Sequence, residues 1–327
     1  MHYFVTGAVG SIGRYLTSLL LAEGHAVTTL VRSRQQAQAM ADYGIRPHLG
    51  DVRDKESMRR GMRGADGVFH TATWARVGSR DRKTAQAVNV QGTRNVLELI
   101  GEMHIPKAVY TSSVHVFSDT RRRRPDETYR FDGKHLSIAD RTQWEAHYEV
   151  ALPMMRGGLP VVIVQPGVVY GPGDDSNTAR LLRRYLLGKV PVAPTRTAAS
   201  WVHVEDVAAG HLLAMEAGTP GRSYLLCGED ATLLEVMRMA GRLVGKRRGP
   251  LPIPGLALRP LAGALRLAGH VIPPLAVTAE RMRRMAGATF LGDDIRARRE
   301  LGYAPRSLGE GMPDTVRSVL QDLFESH

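Results

Sequence analysis

One stretch near the start of the chain decides the fold: Thr6-Gly7-Ala8-Val9-Gly10-Ser11-Ile12-Gly13. It follows His2 to Thr6, which is predicted to be a strand, and it leads into an amphipathic helix predicted over Ser11 to Glu23. Glycines between a strand and a helix allow a tight turn, let the backbone come close to a pyrophosphate, and leave the N–H groups of the helix N-terminus available to phosphate. The G-x-x-G-x-x-G spacing therefore predicts a dinucleotide site.

The end of the second predicted strand bears on which dinucleotide binds. Val31-Arg32-Ser33-Arg34 has no acidic residue, whereas NAD-specific sites carry one there to accept hydrogen bonds from the ribose 2′-hydroxyl. Arg32 instead offers a planar cationic fork that suits a 2′-phosphate. The alternative is that Arg32 is an ordinary surface charge. We expect NADP(H), with NAD as the less favoured cofactor.

Strands and helices alternate at short spacing through the first half of the chain. Further strands are predicted over residues 26–31, 46–49, 67–71, 107–112 and 160–165, and helices over 34–43, 55–63, 84–103 and 141–156. This alternation predicts an α/β fold, a Rossmann-type doubly wound parallel sheet with helices on both faces.

From about residue 170 the pattern loosens, which predicts a smaller C-terminal α+β lobe. Prolines cluster there at positions 191, 194, 250, 252, 254, 260, 273 and 274. We expect a cofactor-binding domain over 1–170, with strands contributed from about 200–227, and a mainly substrate-binding lobe over 171–327.

Composition narrows the possible partners. The chain of 327 residues carries a formal charge of +12, but its densest basic run, Arg121 to Arg124, has no interleaved aromatic side chains on which bases could stack. We therefore predict no nucleic-acid partner. The single cysteine, Cys227, argues against a disulfide framework and a cysteine-rich metal site, so we expect a reducing cytoplasm and no metal.

Hydropathy argues against a membrane span. The longest apolar run near the C-terminus, Leu256 to Val277, is interrupted by Arg259, Arg266 and His270. A surface-lying amphipathic segment is one interpretation of this run, and a helix of a substrate lobe is the favoured one. The first residues are predicted to form a strand, and no secretory signal is visible before it.

Several further segments resemble family motifs. They are Gly50 to Asp54 (GDxxD), Val68 to Thr73, Asn89 to Leu97 (NVxGTxNVL), Val109 to Ser113, Gln165 to Gly173 (RPGxVYGPG), Trp201 to Ala208 (VHVxDVA) and Glu300 to Pro305 (LGYxP). With the glycine loop as TGxxGxxG, the chain resembles the extended short-chain dehydrogenase/reductase superfamily over nearly its whole length. The similar branch is that of NAD(P)-dependent epimerases, dehydratases and dihydroflavonol-reductase or 3β-hydroxysteroid-dehydrogenase-like enzymes.

The resemblance assigns roles to residues of this chain. It places the catalytic serine at Ser113, and it implies that Asp51 and Val52 contact the adenine. The full set of expected cofactor contacts is Gly7, Gly10, Ser11, Ile12, Gly13, Arg32, Asp51, Val52, Thr71, Ala72, Thr73, Thr111, Gln143, Pro166, Gly167 and Val169.

The chain departs from the family at its proton-transfer motif. The family's Tyr-x-x-x-Lys pairs a general acid with a lysine one helical turn later, which lowers the pKa of the tyrosine and holds the nicotinamide ribose. The matching positions here are Ala139 and Gln143. We expect Gln143 to keep a hydrogen bond to the ribose, so cofactor binding survives the change. A hydroxyl such as that of Ser113 does not titrate near neutral pH by itself.

A histidine is the predicted substitute for the tyrosine because it titrates near neutral pH. His135, Ala139, Gln143 and His147 lie at successive i+4 positions, so either histidine faces the pocket if the helix starts early enough. We predict His135 as the replacement. The alternative is a loop or surface histidine with no role in the chemistry.

Two classes of substrate are open. The apolar stretch from Leu251 to Pro274 lies where family members cover the substrate, which favours a steroid, terpenoid, polyketide or flavonoid-like ketone or alcohol. Ordinary packing explains the same composition. A sugar nucleotide is the competing class, and its pyrophosphate would need cations such as Arg180, Arg183, Arg184 and Arg222.

Three functions remain compatible with these residues. The first is an NADP(H)-dependent oxidoreductase that uses a non-standard proton donor. The second is a non-redox isomerase, dehydratase or cyclase in the same pocket, and the third is a non-catalytic NADP(H) sensor. An enzyme is favoured, and resemblance alone suggests a homodimer through helices around residues 84–103 and 141–156.

Overall fold

The computed structural model describes residues 1–75, 81–174, 176–268 and 273–325. Its strands, in chain order, are β1 (His2–Thr6), β2 (Ala26–Val31), β3 (Arg46–Leu49), β4 (Gly67–His70), β5 (Ala108–Thr111), β6 (Val161–Pro166), β7 (Val168–Tyr170), β8 (Val192–Pro194), β9 (Ala198–His203), β10 (Ser223–Leu226), β11 (Glu229–Thr232), β12 (Leu251–Ile253) and β13 (Thr289–Phe290).

The helices follow the same order. They are α1 (Ser11–Ala22), α2 (Arg34–Asp42), α3 (Lys55–Met62), α4 (Arg82–Ala85), α5 (Thr93–Glu102), α6 (Ile138–Glu145), α7 (Leu152–Arg156), α8 (Asn177–Leu186), α9 (Val204–Glu216), α10 (Leu233–Leu243), α11 (Gly255–Ala268), α12 (Pro273–Met285), α13 (Ile295–Leu301) and α14 (Leu308–Glu325). A π-helical segment, Gln86–Gly92, joins α4 to α5, and another, Ala146–Ala151, joins α6 to α7. A 3-10 turn, Val114–Phe117, follows β5.

Seven strands form one parallel sheet in the order β10-β6-β5-β4-β1-β2-β3. The chain winds outward from β1 to β3 and then returns with β4 to the other side of β1. Ligands of such sheets bind at the carboxyl ends of the strands where the winding direction reverses. The order confirms the predicted Rossmann-type sheet and places the glycine loop at that reversal.

Helices cover both faces of the sheet. Along β1, the side chain of Val5 lies in one core cluster with Leu16 of α1 and Val207 of α9. The neighbouring Phe4 points to the other face and packs with Met58 of α3. Successive side chains of a strand alternate between faces, so this double burial explains the continuous apolar strands that the sequence shows.

The predicted boundaries agree with the structure where one local signal dominates. β1, β2 and β3 have the predicted ends. Helix α6 begins at Ile138, three residues before the predicted start, because the Ser137 side chain accepts the backbone N–H of Asp140 at 3.0 Å. Ala139 and Gln143 are therefore both on the helix.

A smaller mixed sheet forms beside the main one. It has the order β11-β9-β13, with β7 also paired to β9, while β12 pairs with β8. Of the strands expected from residues 200–227, β10 joins the main sheet and β9 belongs to the smaller sheet. Helices α11 and α12 pack on each other within the predicted apolar stretch, of which residues 269–272 lie outside the described residues.

The core position of Phe69 leads to a stability prediction. Its side chain is 0% exposed in the central strand β4, with its ring 5.3 Å from that of Tyr3. Phe69→Ala is expected to lower the free energy of unfolding by about 3–5 kcal/mol, because it leaves a cavity in the core. Urea unfolding followed by circular dichroism measures the change. Leu187→Ala, at a position 44% exposed, is the control and is expected to change it by less than about 0.5 kcal/mol.

Candidate active site

The loop between β1 and α1 can pass this close to its neighbours only because Gly7 and Gly13 lack side chains. Gly7 has φ +78°, and a Cβ there would lie 2.6 Å from the backbone nitrogen of Ala72. A Cβ on Gly13 would lie 2.2 Å from the carbonyl oxygen of Gly7. Among the described residues no side chain caps α1 at Gly10, so the N–H groups of Ser11 and Ile12 suit a phosphate. The loop fits a dinucleotide.

The residues that follow β2 and β3 are those predicted to bind the adenosine half of the cofactor. Arg32 is exposed, and within the described part of the chain no carboxylate pairs with its guanidinium. Both carboxylate oxygens of Asp51 accept from Arg53, at 3.0 and 2.7 Å, and this contact lowers the pKa of Asp51. Val52 is 6% exposed and packs into the core. The adenine contacts of Asp51 and Val52 stay predictions.

The residues after β4 lie against the glycine loop. The Thr71 hydroxyl donates to the carbonyl oxygen of Thr6 at 2.8 Å, and the Ala72 N–H donates to the Thr6 hydroxyl at 3.3 Å. The Gln143 side chain of α6 donates to the Thr73 hydroxyl at 3.2 Å. The structure thus brings together predicted cofactor residues from β1, β4 and α6 at one edge of the sheet.

The remaining predicted cofactor residues have structural partners. The Thr111 hydroxyl lies 2.8 Å from Nε2 of His211, whose pKa burial lowers to about 4. Pro166 and Gly167 are buried, and a Cβ on Gly167 would lie 2.2 Å from the backbone oxygen of Ser200. Val169 is half-buried in β7. The glycine at 167 is therefore required for packing against β9, whether or not it also contacts a cofactor.

The predicted catalytic serine has a histidine partner that the sequence analysis missed. Oγ of Ser113 lies 2.8 Å from Nδ1 of His115 and accepts the backbone N–H of His115 at 3.2 Å. Ser113 caps the short 3-10 turn that holds His115. A serine at a cap with histidine two residues later was the available signal, because such side chains readily bond to the backbone and to each other locally.

A buried ion pair lies next to this dyad. Asp140, with a side chain 2% exposed, contacts Arg284 at 2.8 Å. The Arg284 guanidinium lies 5.0 Å over the ring of Phe290, whose centroid is 4.9 Å from that of His115. Burial, and secondly the positive charge of Arg284, lower the pKa of His115 well below its ordinary value. The imidazole of His115 is therefore neutral at physiological pH.

The structure does not place His135 as predicted. Helix α6 begins after Ser137, so the i+4 spacing to Ala139 does not extend back to His135. The His135 ring instead contacts the rings of Phe131 and Trp144, at 5.2 and 5.6 Å. Among the described contacts none joins His135 to Ser113, and its role as a proton donor stays a prediction.

His147, the other histidine considered, faces the sheet. Its Nδ1 lies 2.9 Å from the hydroxyl of Ser112, and the side chain is buried. Burial lowers the pKa of His147 to about 3, so this ring is neutral and structural.

Elsewhere in the chain, in the smaller lobe, one tyrosine is followed by a lysine four residues later. Tyr185 is buried between α8 and α10, and Lys189 follows it after Gly188, which has φ +76°. Because α8 ends at Leu186, the two side chains do not share a helix face. This pair is not the proton-transfer motif of the family.

Comparison with known proteins identifies the family. The model of the NAD dependent epimerase/dehydratase family matches residues 3–227. The chain belongs to this family. The match confirms the predicted resemblance. It also confirms the prediction that the chain is an enzyme, of a family that depends on a nicotinamide dinucleotide.

Individual relatives match nearly the whole length of the chain. Sterol demethylase protein B of Methylococcus capsulatus is 30% identical over 97% of this chain and 97% of its own. The 4-hydroxy-2-methyl-3-oxo-4-farnesyl-3,4-dihydroquinoline-1-oxide ketoreductase of Stigmatella aurantiaca is also 30% identical, over 98% of this chain and 96% of its own. The crystal structure of gox2253 is similar with a TM-score of 0.86 at 28% identity, and 98% of each chain is covered.

Within the described ranges, no group of three or more His, Cys, Asp or Glu side chains is placed to hold a metal ion. None of the helices in those ranges combines the length and the apolar character that crossing a membrane requires.

The glycine loop gives a prediction for cofactor binding. Gly13→Ala puts a Cβ 2.2 Å from the Gly7 carbonyl oxygen, so the loop must shift away from α1 and dinucleotide affinity is expected to fall at least about tenfold. Titration calorimetry with NADPH measures the loss. Gly263→Ala is the control, because a Cβ there meets nothing within 4 Å. Equal NADPH affinity in both variants would contradict the assignment of the loop.

Proposed function

We propose that this protein is an NADP(H)-dependent oxidoreductase that interconverts a carbonyl and a hydroxyl group on an apolar small molecule. The observation that carries the proposal is the shared sheet edge. The glycine loop and the uncapped N-terminus of α1 lie there with Ser113, which follows β5, and with Gln143 on α6. Such an edge holds a dinucleotide and a reacting hydroxyl group side by side.

The preference for NADP(H) rests on charge. The position after β2 holds the exposed Arg32 in place of an acid, and the Asp51 carboxylate, on which the charge of Arg32 acts, is already paired with Arg53. A 2′-phosphate therefore meets a cation and no uncompensated anion.

An apolar substrate is supported by the relatives and by the lobe. Two full-length relatives are named for a sterol and for a farnesylated quinoline, both large apolar molecules. In this chain the lobe over residues 171–327 adds the helix pair α11 and α12, within the stretch rich in Leu, Ala and Pro. We assign this lobe mainly to substrate binding.

Arg32→Ala tests the cofactor preference. Loss of one charge-assisted contact to the 2′-phosphate is expected to weaken NADPH about 10- to 100-fold and to leave NADH affinity unchanged. Fluorescence titration with both cofactors measures the two affinities. Arg63→Ala, at the exposed C-terminal end of α3, is the control. A parallel loss for NADH and NADPH, or no loss for either, would argue against recognition of the 2′-phosphate by Arg32.

A turnover assay tests the reaction itself. With NADPH and a ketone of sterol, terpenoid or flavonoid size, the wild-type protein is expected to oxidise the NADPH, so that its nicotinamide absorbance falls. With NADP⁺, it is expected to oxidise the matching alcohols. Sugar nucleotides are the comparison substrates. Tight NADPH binding without turnover of any of these compounds would reject the oxidoreductase and favour the non-redox enzyme or the sensor.

A further inference from the structure

The hydroxyl proton of Ser113 has one direction in which to point. Oγ accepts the backbone N–H of His115, so the oxygen already has a donor on that side. The remaining neighbour is Nδ1 of His115 at 2.8 Å, which can accept the hydroxyl proton when the ring carries its own proton on Nε2. The result is a serine oriented as a donor to a histidine, as in nucleophile–base pairs of other enzymes.

We propose that Ser113 and His115 together move the proton of the reaction, in place of the tyrosine and lysine that the family motif would put at Ala139 and Gln143. Ser113 contacts the reacting oxygen of the substrate, and His115 acts through Ser113. This inference rests on the proposed oxidoreductase function. It adds to it the identity of the groups that handle the proton.

The step balances in both directions. In oxidation the carbinol C–H bond breaks and its electron pair leaves as hydride, which the nicotinamide accepts when it is bound. The substrate O–H bond breaks, its electron pair forms the second bond of the carbonyl, and the proton goes to Oγ of Ser113. The former hydroxyl proton of Ser113 goes to Nδ1 of His115, which becomes an imidazolium. Reduction runs the same transfers backward.

The surroundings of His115 keep its resting ring in the neutral form, in which Nδ1 has a free lone pair. The charged group that acts on the ring is Arg284 of α12, which is itself paired with Asp140 of α6, while β13 contributes the uncharged ring of Phe290. Burial and this cation keep the resting imidazole neutral. The backbone N–H of His115 donates to Oγ, so it also stabilises negative charge that develops there as the proton leaves.

The competing interpretation is that the contact merely caps the 3-10 turn. Helix α6 packs on that turn, so Ala139, which is 2% exposed, lies on the element next to the dyad. Neither alanine nor glutamine can donate a proton at neutral pH, whereas His115 is titratable. A capping role requires only the hydrogen bond between Ser113 and His115. A proton relay also requires that the His115 ring can gain and lose a proton, so a variant that keeps the hydrogen bond but cannot be protonated separates the two roles.

His115→Asn makes this separation, because an asparagine amide keeps a hydrogen bond at the Nδ1 position and cannot titrate. We expect kcat for alcohol oxidation to fall at least about 100-fold. KM and NADP⁺ affinity are expected to stay within about threefold. The wild-type rate is expected to fall in acid as His115 is protonated, and this limb of the pH profile is expected to vanish in the variant.

Two further variants serve as controls. His104→Asn changes an exposed histidine at φ 53°, a conformation that asparagine tolerates, and is expected to keep wild-type kinetics. Adding Ala139→Tyr and Gln143→Lys to His115→Asn supplies the family's own motif. The kcat of this triple variant is expected to be at least about tenfold higher than that of His115→Asn alone. A His115→Asn protein with the wild-type rate and pH profile would overturn this inference and leave the proposed function standing. A wild-type protein that turns over no alcohol or ketone would overturn both.

A measurement on the protein without cofactor tests the dyad directly. Nitrogen-15 NMR of the histidine rings is expected to show His115 neutral at pH 7, with its proton on Nε2 and Nδ1 accepting a hydrogen bond. Ser113→Ala is expected to raise the pKa of His115, because it removes a donor to the neutral ring. Assignment of the ring proton to Nδ1 would overturn the proposal whatever the kinetics show.

Discussion

The site depends on the close passage of the glycine loop against the end of β4. Gly7 takes φ +78° and has no Cβ, so the backbone of Ala72 can lie beside it. The hydroxyl of Thr71 and the N–H of Ala72 then bond to Thr6, which ties the two strand ends together at the reversal of the sheet. A side chain at Gly7 would part these strands and remove both the phosphate cradle and the position of Thr73, which is the contact of Gln143 on α6.

A second tie connects the smaller lobe to this edge. Asp140 of α6 and Arg284 of α12 are 144 residues apart in the chain and form a buried contact at 2.8 Å. Burying two charges is expensive, and such pairs often add little net stability, but removal of one partner leaves an uncompensated charge in the interior. The pair therefore fixes where α12 sits relative to the dyad more than it strengthens the fold.

The sequence predicts the fold well and the site only in part, for physical reasons that differ between residues. The strands β1 to β3 have the predicted ends, because their signal is local and repeats along the chain. Helix α6 begins three residues before its predicted start, because the Ser137 side chain caps the helix there and the apolar periodicity does not report this cap. The Asp140–Arg284 pair could not be predicted at all, since no local pattern reports a contact between segments so distant. His115 could have been found from its spacing to Ser113.

The predicted replacements of the family's tyrosine and lysine, by Ala139 and Gln143, share one electrostatic explanation. A tyrosine near pKa 10 needs a cation beside it to act at neutral pH, which is the task of the lysine. An imidazole ordinarily titrates near neutrality, so it does not need a neighbouring lysine in order to accept a proton. A neutral Gln143 keeps the hydrogen bond to Thr73 and adds no charge. Alanine and glutamine at these positions are thus consistent with each other once a histidine handles the proton.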